Sequence, residues 1–362
     1  MPASKIVLPK KYDDSKIKYM IKYQNYFCLF FMAGFILTLT LLPDCGIAQK
    51  KKPIDNGYYI TYPDKLLVRV YLSQKYAPLT ISALNNDKDL NYKTSSKLSL
   101  GIGATYSNVT LNLSYGFSFL NKDKGQGRTR GLDLQFHLFP HKLAIDLLGT
   151  FRRSYYLDPK DNNGLNLSAY YKRPDLKRDI IGLAVFEVPN AGKFSYRAAL
   201  TQKEWQTKSA GSLLYGGEAY YGTIKADSSF VPNPVANNFP QYGVHQINFF
   251  SIGPGVGYAY TFVLDKHFYI TGSVIGAVDI NFSTEEHAGG NDKKVSIIPS
   301  GVYKGAIGYN SSTWSIGAHI IGDALYVGSA SSSKEYFMPT GNLRLILTKK
   351  IGLKRPIRIH RQ

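Results

Sequence analysis

The sequence predicts an all-β protein, an antiparallel up-and-down β-barrel of about twelve strands of the outer-membrane type. Three observations predict it. Apolar and polar residues alternate with period two from Leu66 to Leu347, the signature of strands whose successive side chains point to opposite faces. Many of these runs reach about ten residues, the length a tilted strand needs to cross a bilayer, whereas soluble strands average about five or six. The chain also opens with an export segment and keeps no cysteine beyond it.

That segment comes first along the chain. Lys16, Lys18 and Lys22 precede the apolar run Tyr26–Leu42, and small residues Gly46 and Ala48 follow. A basic stretch, an apolar stretch and small residues in that order describe a Sec signal peptide covering residues 1–48, cleaved before Gln49, with Met20 as an alternative start. Two competing readings are weaker. An uncleaved anchor would need a longer apolar run, and acylation of Cys45 would need small apolar neighbours where Pro43 and Asp44 stand. Cleavage removes Cys28 and Cys45, so no disulfide, cysteine nucleophile or cysteine-bound metal is expected in the mature chain.

Residues 49–64 read as a periplasmic lead-in, 65–348 as the barrel and 349–362 as a basic tail. Leu66, Val68, Val70 and Leu72 form the first apolar row, and Leu98 to Tyr106 the second. The stretch VTLNLSYGFSFL at 109–120 alternates almost without error. It also poses the central question, because its Phe row faces a core in a soluble barrel and lipid in a membrane barrel. Rows follow at Leu132–Leu138, Leu143–Phe151, Phe194–Leu200, Phe250–Phe262, Phe268–Phe282, Trp314–Ile320 and Leu343–Leu347. Turn chemistry separates them: NKDKGQG at 121–127, DNNG at 161–164, HAGGND at 287–292 and SASSSKE at 329–335. SSFVPNPVANNFPQYG at 228–243 reads as a long loop. The polar rows are rich in Gly, Ser, Thr and Asn, and many of the 28 Tyr stand near strand ends. Both features place the Phe rows against lipid, with an aromatic girdle at each interface. The tail TKKIGLKRPIRIHRQ runs against this reading, since many such barrels end on an aromatic residue.

The formal net charge is +19, and residues 1–48, with six Lys and three Asp, leave +16 on the mature chain. Export argues against nucleic acid as the balancing anion, so the expected partners are outer-membrane lipid or lipopolysaccharide. No cofactor and no metal are expected. His137 and His141 have the i, i+4 spacing of a zinc helix, but Pro140 forbids the helix. GPGVG at 253–257 lies within a strand pattern, and SSSK at 331–334 lies in a turn.

What remains is charge on the polar rows: Asp133, His137, Asp146, Arg152, Arg197, Glu218, Asp279, His319 and Arg344. If the barrel closes, these point into the lumen. An internal ion-pair network is the simplest account of them. A catalytic reading would need an interior His, His319 first, beside a Ser.

At RPD (173–175) and KFSYRAALTQKEWQTKSAGS (193–212), and upstream in LGIGATY (100–106), the chain resembles a family of exported, Bacteroidetes-type proteins known only as a domain of unknown function, DUF4421. The resemblance runs from about Tyr59 to Leu347. It implies a membrane-type barrel of a dozen or so strands in a Gram-negative outer membrane, and no activity. Read on its own residues, this stretch turns Phe194 and Tyr196 to the apolar side and makes Gln202–Lys208 a hairpin. The ligand-binding candidates are Arg197, Gln202, Gln206, Ser209 and Ser212 here, with Asp133, Asp146, Arg152, Glu218 and His319 in the lumen. Three roles stay open: a structural, binding or narrow-transport barrel; a barrel enzyme modifying lipid or lipopolysaccharide; and a soluble periplasmic barrel carrying an apolar ligand.

Overall fold

A computed structural model describes residues 53–353 except 85–86, 107–108, 122–124, 141, 162–164 and 166. The expected signal segment with Met20 and both cysteines, His141, most of the DNNG turn and the tail beyond Leu353 lie outside the described residues.

Two short strands, β1 (Ile54–Asp55) and β2 (Tyr59–Thr61), precede the barrel. Its first stave is β3 (Lys65–Tyr76), continued after the Ala77–Pro78 break by β4 (Leu79–Ile81). The second is also broken, into β5 (Leu90–Lys93) and β6 (Ser99–Tyr106). Then come β7 (Val109–Tyr115), β8 (Arg130–Leu138), β9 (Leu143–Leu157) and β10 (Tyr171–Glu187). The short β11 (Glu204–Gln206) joins β1 and β2 in a separate three-stranded sheet. The staves resume with β12 (Ala210–Lys225), β13 (Gln246–Leu264), β14 (Phe268–His287), β15 (Gly290–Asn310) and β16 (Trp314–Gly328). The last is β17 (Glu335–Phe337) with β18 (Thr340–Gly352). Counting broken strands once, twelve staves alternate in direction, as the turn pattern predicts. The final strand runs to Gly352, slightly past the expected boundary.

The last stave meets the first along Gly341↔Tyr76 to Gly352↔Lys65, so both chain ends lie at one mouth, the terminal end. At the far end the ring is completed by β4 on β17, β5 on β4, and β5 on β9 at Tyr92↔Leu157 and Lys93↔Tyr156. Below that contact, β7 pairs with β6 and β8 pairs with β9, and among the described residues no pairing joins β7 to β8. A wedge thus opens in the wall.

Burial answers the question posed by the Phe rows. From Phe268 to Ser283 on β14 every outward residue is exposed and every inward one buried, with Val274 67% exposed. Asp279, Asn281 and Ser283 face in, while Phe250, Phe262, Phe268 and Phe282 face out. An apolar belt of this extent exceeds what a soluble monomer exposes. From Phe250 to Phe262 the strand covers about 40 Å, which a tilt near 45° brings close to the hydrocarbon thickness. Aromatic pairs mark both edges of the belt, Phe268–Tyr309 at 5.3 Å and Phe250–Phe282 at 6.4 Å between ring centroids. The expectation of a soluble barrel with a Phe-lined cavity does not match this arrangement.

Two inserted segments fill the mouths. At the far end Phe230, Val231, Val235, Phe239 and Val244, from the long loop, pack on Leu79, Tyr92, Leu157 and Tyr336. At the terminal end Phe194, Tyr196, Ala199 and Leu200 pack on Phe186, Ala259, Tyr269 and Val302. Here one expectation is corrected. Residues 194–201 are not a strand but an inward plug ending in a π-helical turn, Arg197–Thr201. Because the plug lies inside the wall, Phe194, Ser195 and Tyr196 are all buried and the alternation has no outer face to report.

Candidate functional site

The lumen walls bring charge together by register. His137 on β8 stands opposite Asp146 on β9, and Asp133 opposite Thr150. His137 Nδ1 lies 2.6 Å from Asp146 Oδ1, and the buried Lys304 on β15 donates from Nζ to Asp146 Oδ2 at 2.5 Å. The ammonium also lies 5.1 Å from the Tyr196 ring and 5.9 Å from that of Phe139. Tyr196 in turn shares a hydrogen bond of 2.6 Å with Ser273 Oγ, so plug and wall meet at Lys304. Nearby, Arg152 Nε donates to Asp133 Oδ1 at 3.1 Å and its Nη2 to Oδ2, while Lys75 Nζ reaches Asp133 from β3 at 3.5 Å.

A second group is acidic. Ser300 Oγ donates to Glu218 Oε1 at 2.5 Å. Glu218 Oε2 and both oxygens of the fully buried Asp279 have no hydrogen-bond partner. Asp323 accepts from Tyr220 Oη at 3.4 Å. A third group is basic. His319 and Arg344 are register partners, and Arg69 Nη2 donates to Thr105 at 2.5 Å and to the plug carbonyl of Thr201 at 3.4 Å. His319 Nε2, Arg69 Nε and Arg344 Nε are buried without partners. Among the described residues no serine hydrogen-bonds His319 or His137, the dyad a hydrolytic reading needs. No cluster of three metal-ligating side chains occurs among them either.

The five candidates from the 193–212 stretch converge on the plug. Gln206 Oε1 accepts from Ser195 N at 3.0 Å and its Nε2 donates to Lys193 O at 2.6 Å. Arg197 lies 3.5 Å from Glu204. Thr348 Oγ1 donates to Gln202 Oε1, while Gln202 Nε2 is buried without a partner. Ser209 Oγ accepts from Val263 N at 2.9 Å, and Ser212 Oγ from Asn190 N at 3.1 Å. In this geometry Gln202, Ser209 and Ser212 fasten plug to wall, and Arg197 and Gln206 hold the plug's own fold. Outside the wall, burial and Asp55 push the Tyr62 phenol up to about 12. Its ring lies 4.5 Å from Lys65 Nζ and 5.4 Å from Lys350 Nζ.

Of the five lumen candidates, the structure gathers Asp133, Asp146 and Arg152 beside the wedge and sets Glu218 with Asp279 and His319 with Arg344. Sequence reasoning missed Lys304, Lys75, Ser300 and Asp323. Lys304 sits in a row where Ile298 and Val302 also face inward, so the alternation there is faint. A charge inside so long a strand was the available signal.

Fold and lumen together define a membrane-type β-barrel filled by its own side chains and two inserted segments. The chain belongs to the family described as Domain of unknown function (DUF4421), whose match covers residues 53–346. No curated protein matches it. Among solved structures, it is similar to the outer membrane protease OmpT from Escherichia coli, at 10% identity and a TM-score of 0.34, over 82% of this chain and 100% of that one. It is also similar to an outer membrane channel from Pseudomonas putida F1, at 11% identity and a TM-score of 0.29, over 83% and 100% of the two chains.

Proposed function

We propose that the chain is an outer-membrane barrel, exported through its Sec signal peptide, that binds or scaffolds rather than conducts. The observation that carries this reading is the occupied lumen. The 188–209 segment buries Phe194, Tyr196 and Leu200 in one mouth, and the 226–245 loop buries Phe230, Val235 and Phe239 in the other. Between them the Lys304–Asp146 pair crosses the remaining space, and Lys75 reaches Asp133 from β3. A water-filled pore of porin type leaves that space open. Apart from the 188–209 plug, the connections at the mouth holding both chain ends are short, such as 265–267 and 311–313, and on that ground this mouth is the periplasmic one.

The test is direct. Full precursor is expressed, and the outer-membrane fraction is run in SDS with and without boiling. The expected result is a mobility shift in that fraction, together with no steady conductance of the purified protein in a planar bilayer. Recovery in the soluble periplasm with no shift overturns the membrane assignment. A persistent open-channel current overturns the filled lumen.

A further inference from the structure

We propose that the wedge between β7 and β8 admits a single-chain amphiphile with an amine head from the membrane, and that Asp146, Glu218, Asp279 and Asp323 receive the ammonium. The proposal rests on the outer-membrane reading above and adds a ligand class and a route.

The route follows from strand pairing. Within hydrocarbon an unpaired backbone N–H or C=O costs several kcal/mol, which is why spanning sheets close. About half of the backbone groups of β7 and of β8 face the wedge, and among the described residues none of them pairs across it. Such edges are tolerable only where they border a polar, water-reachable space. Burial agrees: Asn112 and Ser114, on the lumen side of β7, are exposed, and so are the lipid-side Leu111, Leu113 and Tyr115. The wedge therefore joins two environments. Leu111, Leu113, Leu132, Leu134 and Phe136 border it with the apolar surface an alkyl tail requires.

The head is specified by what lies behind. A narrow cavity against β9 has room for about one water-sized group, which fits an ammonium and excludes a sugar. Leu148, Ala184, Val302 and Ile321 supply its apolar walls, and Asp146 and Asp323 its carboxylates. Glu218 and Asp279 lie within Coulombic range of this pair or of each other. Of these four carboxylates Asp146 meets Lys304 and His137 and Asp323 lies within range of Lys304, while among the described residues Glu218 and Asp279 form no ion pair, in a chain whose overall charge is +19. Lys304 is engaged by Asp146, and the buried oxygens left over are those of Glu218 and Asp279. Buried carboxylate oxygens without donors call for one, and an ammonium brings three. The cations nearest the wedge, Arg152 and Lys75, are both engaged by Asp133, and Arg69 donates to the plug carbonyl of Thr201, so an anionic head would have to displace a partner already in place.

The experiment uses the full chain in phosphatidylcholine vesicles, in a Cys28→Ser, Cys45→Ser background. The probe is dodecylamine carrying a photoactivatable diazirine on its tail. Expected are saturable adducts on residues 109–115 and 130–138, competed at least tenfold better by dodecylamine than by dodecyl phosphate. Glu218→Gln with Asp279→Asn should lower labelling affinity at least tenfold. A bulky maleimide placed on Asn112→Cys should abolish labelling, whereas the same adduct on Val274→Cys, in the closed wall, should leave it intact. Adducts spread evenly around the belt, equal competition by the phosphate, undiminished labelling of the carboxylate variant, or labelling that survives the Asn112 block each overturns the proposal. Each preparation is also run in SDS with and without boiling. A wild-type chain without the mobility shift condemns the outer-membrane reading instead, so the two failures are told apart.

Discussion

The walls made by β13–β15 and by β7–β8 carry the same period-two pattern, yet only the first behaves as a closed sheet. In β13 and β14, of 19 and 20 residues, ladders run along nearly all of both edges, and β15, of 21 residues, pairs with β14 from Gly290 to Tyr309 and with β16 from Ser300 to Asn310, its positions alternating between lipid side and lumen side. In β7 and β8, of 7 and 9 residues, one edge of each strand has no pairing among the described residues, and Asn112 and Ser114 on the inner row of β7 are exposed, as Leu111, Leu113 and Tyr115 on the outer row are. Alternation therefore decides which side chains share a face. It does not decide whether the edge finds a neighbour, and in lipid that second question carries more free energy.

The largest difference should appear in hydrogen exchange. Amides of β14 are expected to exchange at least a thousandfold more slowly than those on the free edge of β7, because β14 is laddered to β13 and β15 along nearly its whole length. Equal protection would mean that β7 and β8 pair, and the comparison would break.

Charge deletion comes next. Lys304→Met removes the cation from a buried pair and should cost about 3–5 kcal/mol in reversible unfolding from vesicles. Lys75→Met, on a side chain 32% exposed near the wedge, should cost no more than about 1 kcal/mol. Similar losses would show that the wedge is as dry as the closed wall.

A smaller effect tests the outer belt. Val278→Arg, in the closed wall, should destabilise by about 2–4 kcal/mol, the cost of arginine near the bilayer midplane. Leu113→Arg, at the rim of the wedge, should cost less than half of that, since its guanidinium can turn toward water. The same unfolding assay reads both variants.

The smallest concerns the turn between β13 and β14. Asp265 and Lys266, the first two of the three connecting residues, have φ of 49° and 62°, a left-handed pair that tight turns prefer to build with glycine. Lys266→Gly should raise stability by about 0.5–1 kcal/mol. Trp205 Nε1 donates to the backbone carbonyl of Lys266 at 2.6 Å, which glycine retains.

How much was legible follows from the same physics. The sequence by itself determined the barrel class, the lipid-facing rows and many, though not all, of the charged residues of the lumen, because facing depends only on neighbours two positions apart along one strand. VTLNLSYGFSFL shows the limit: its alternation is among the cleanest in the chain, yet it holds the strand whose edge is left open. KFSYRAALTQ alternates too, but it is swallowed by the lumen, where no outer face exists. Only the tertiary structure decided the plug, the wedge and the partnership of Lys304 with Asp146, which stand 158 positions apart. Each of these depends on which distant strands the closing ring sets side by side, and no local period records that.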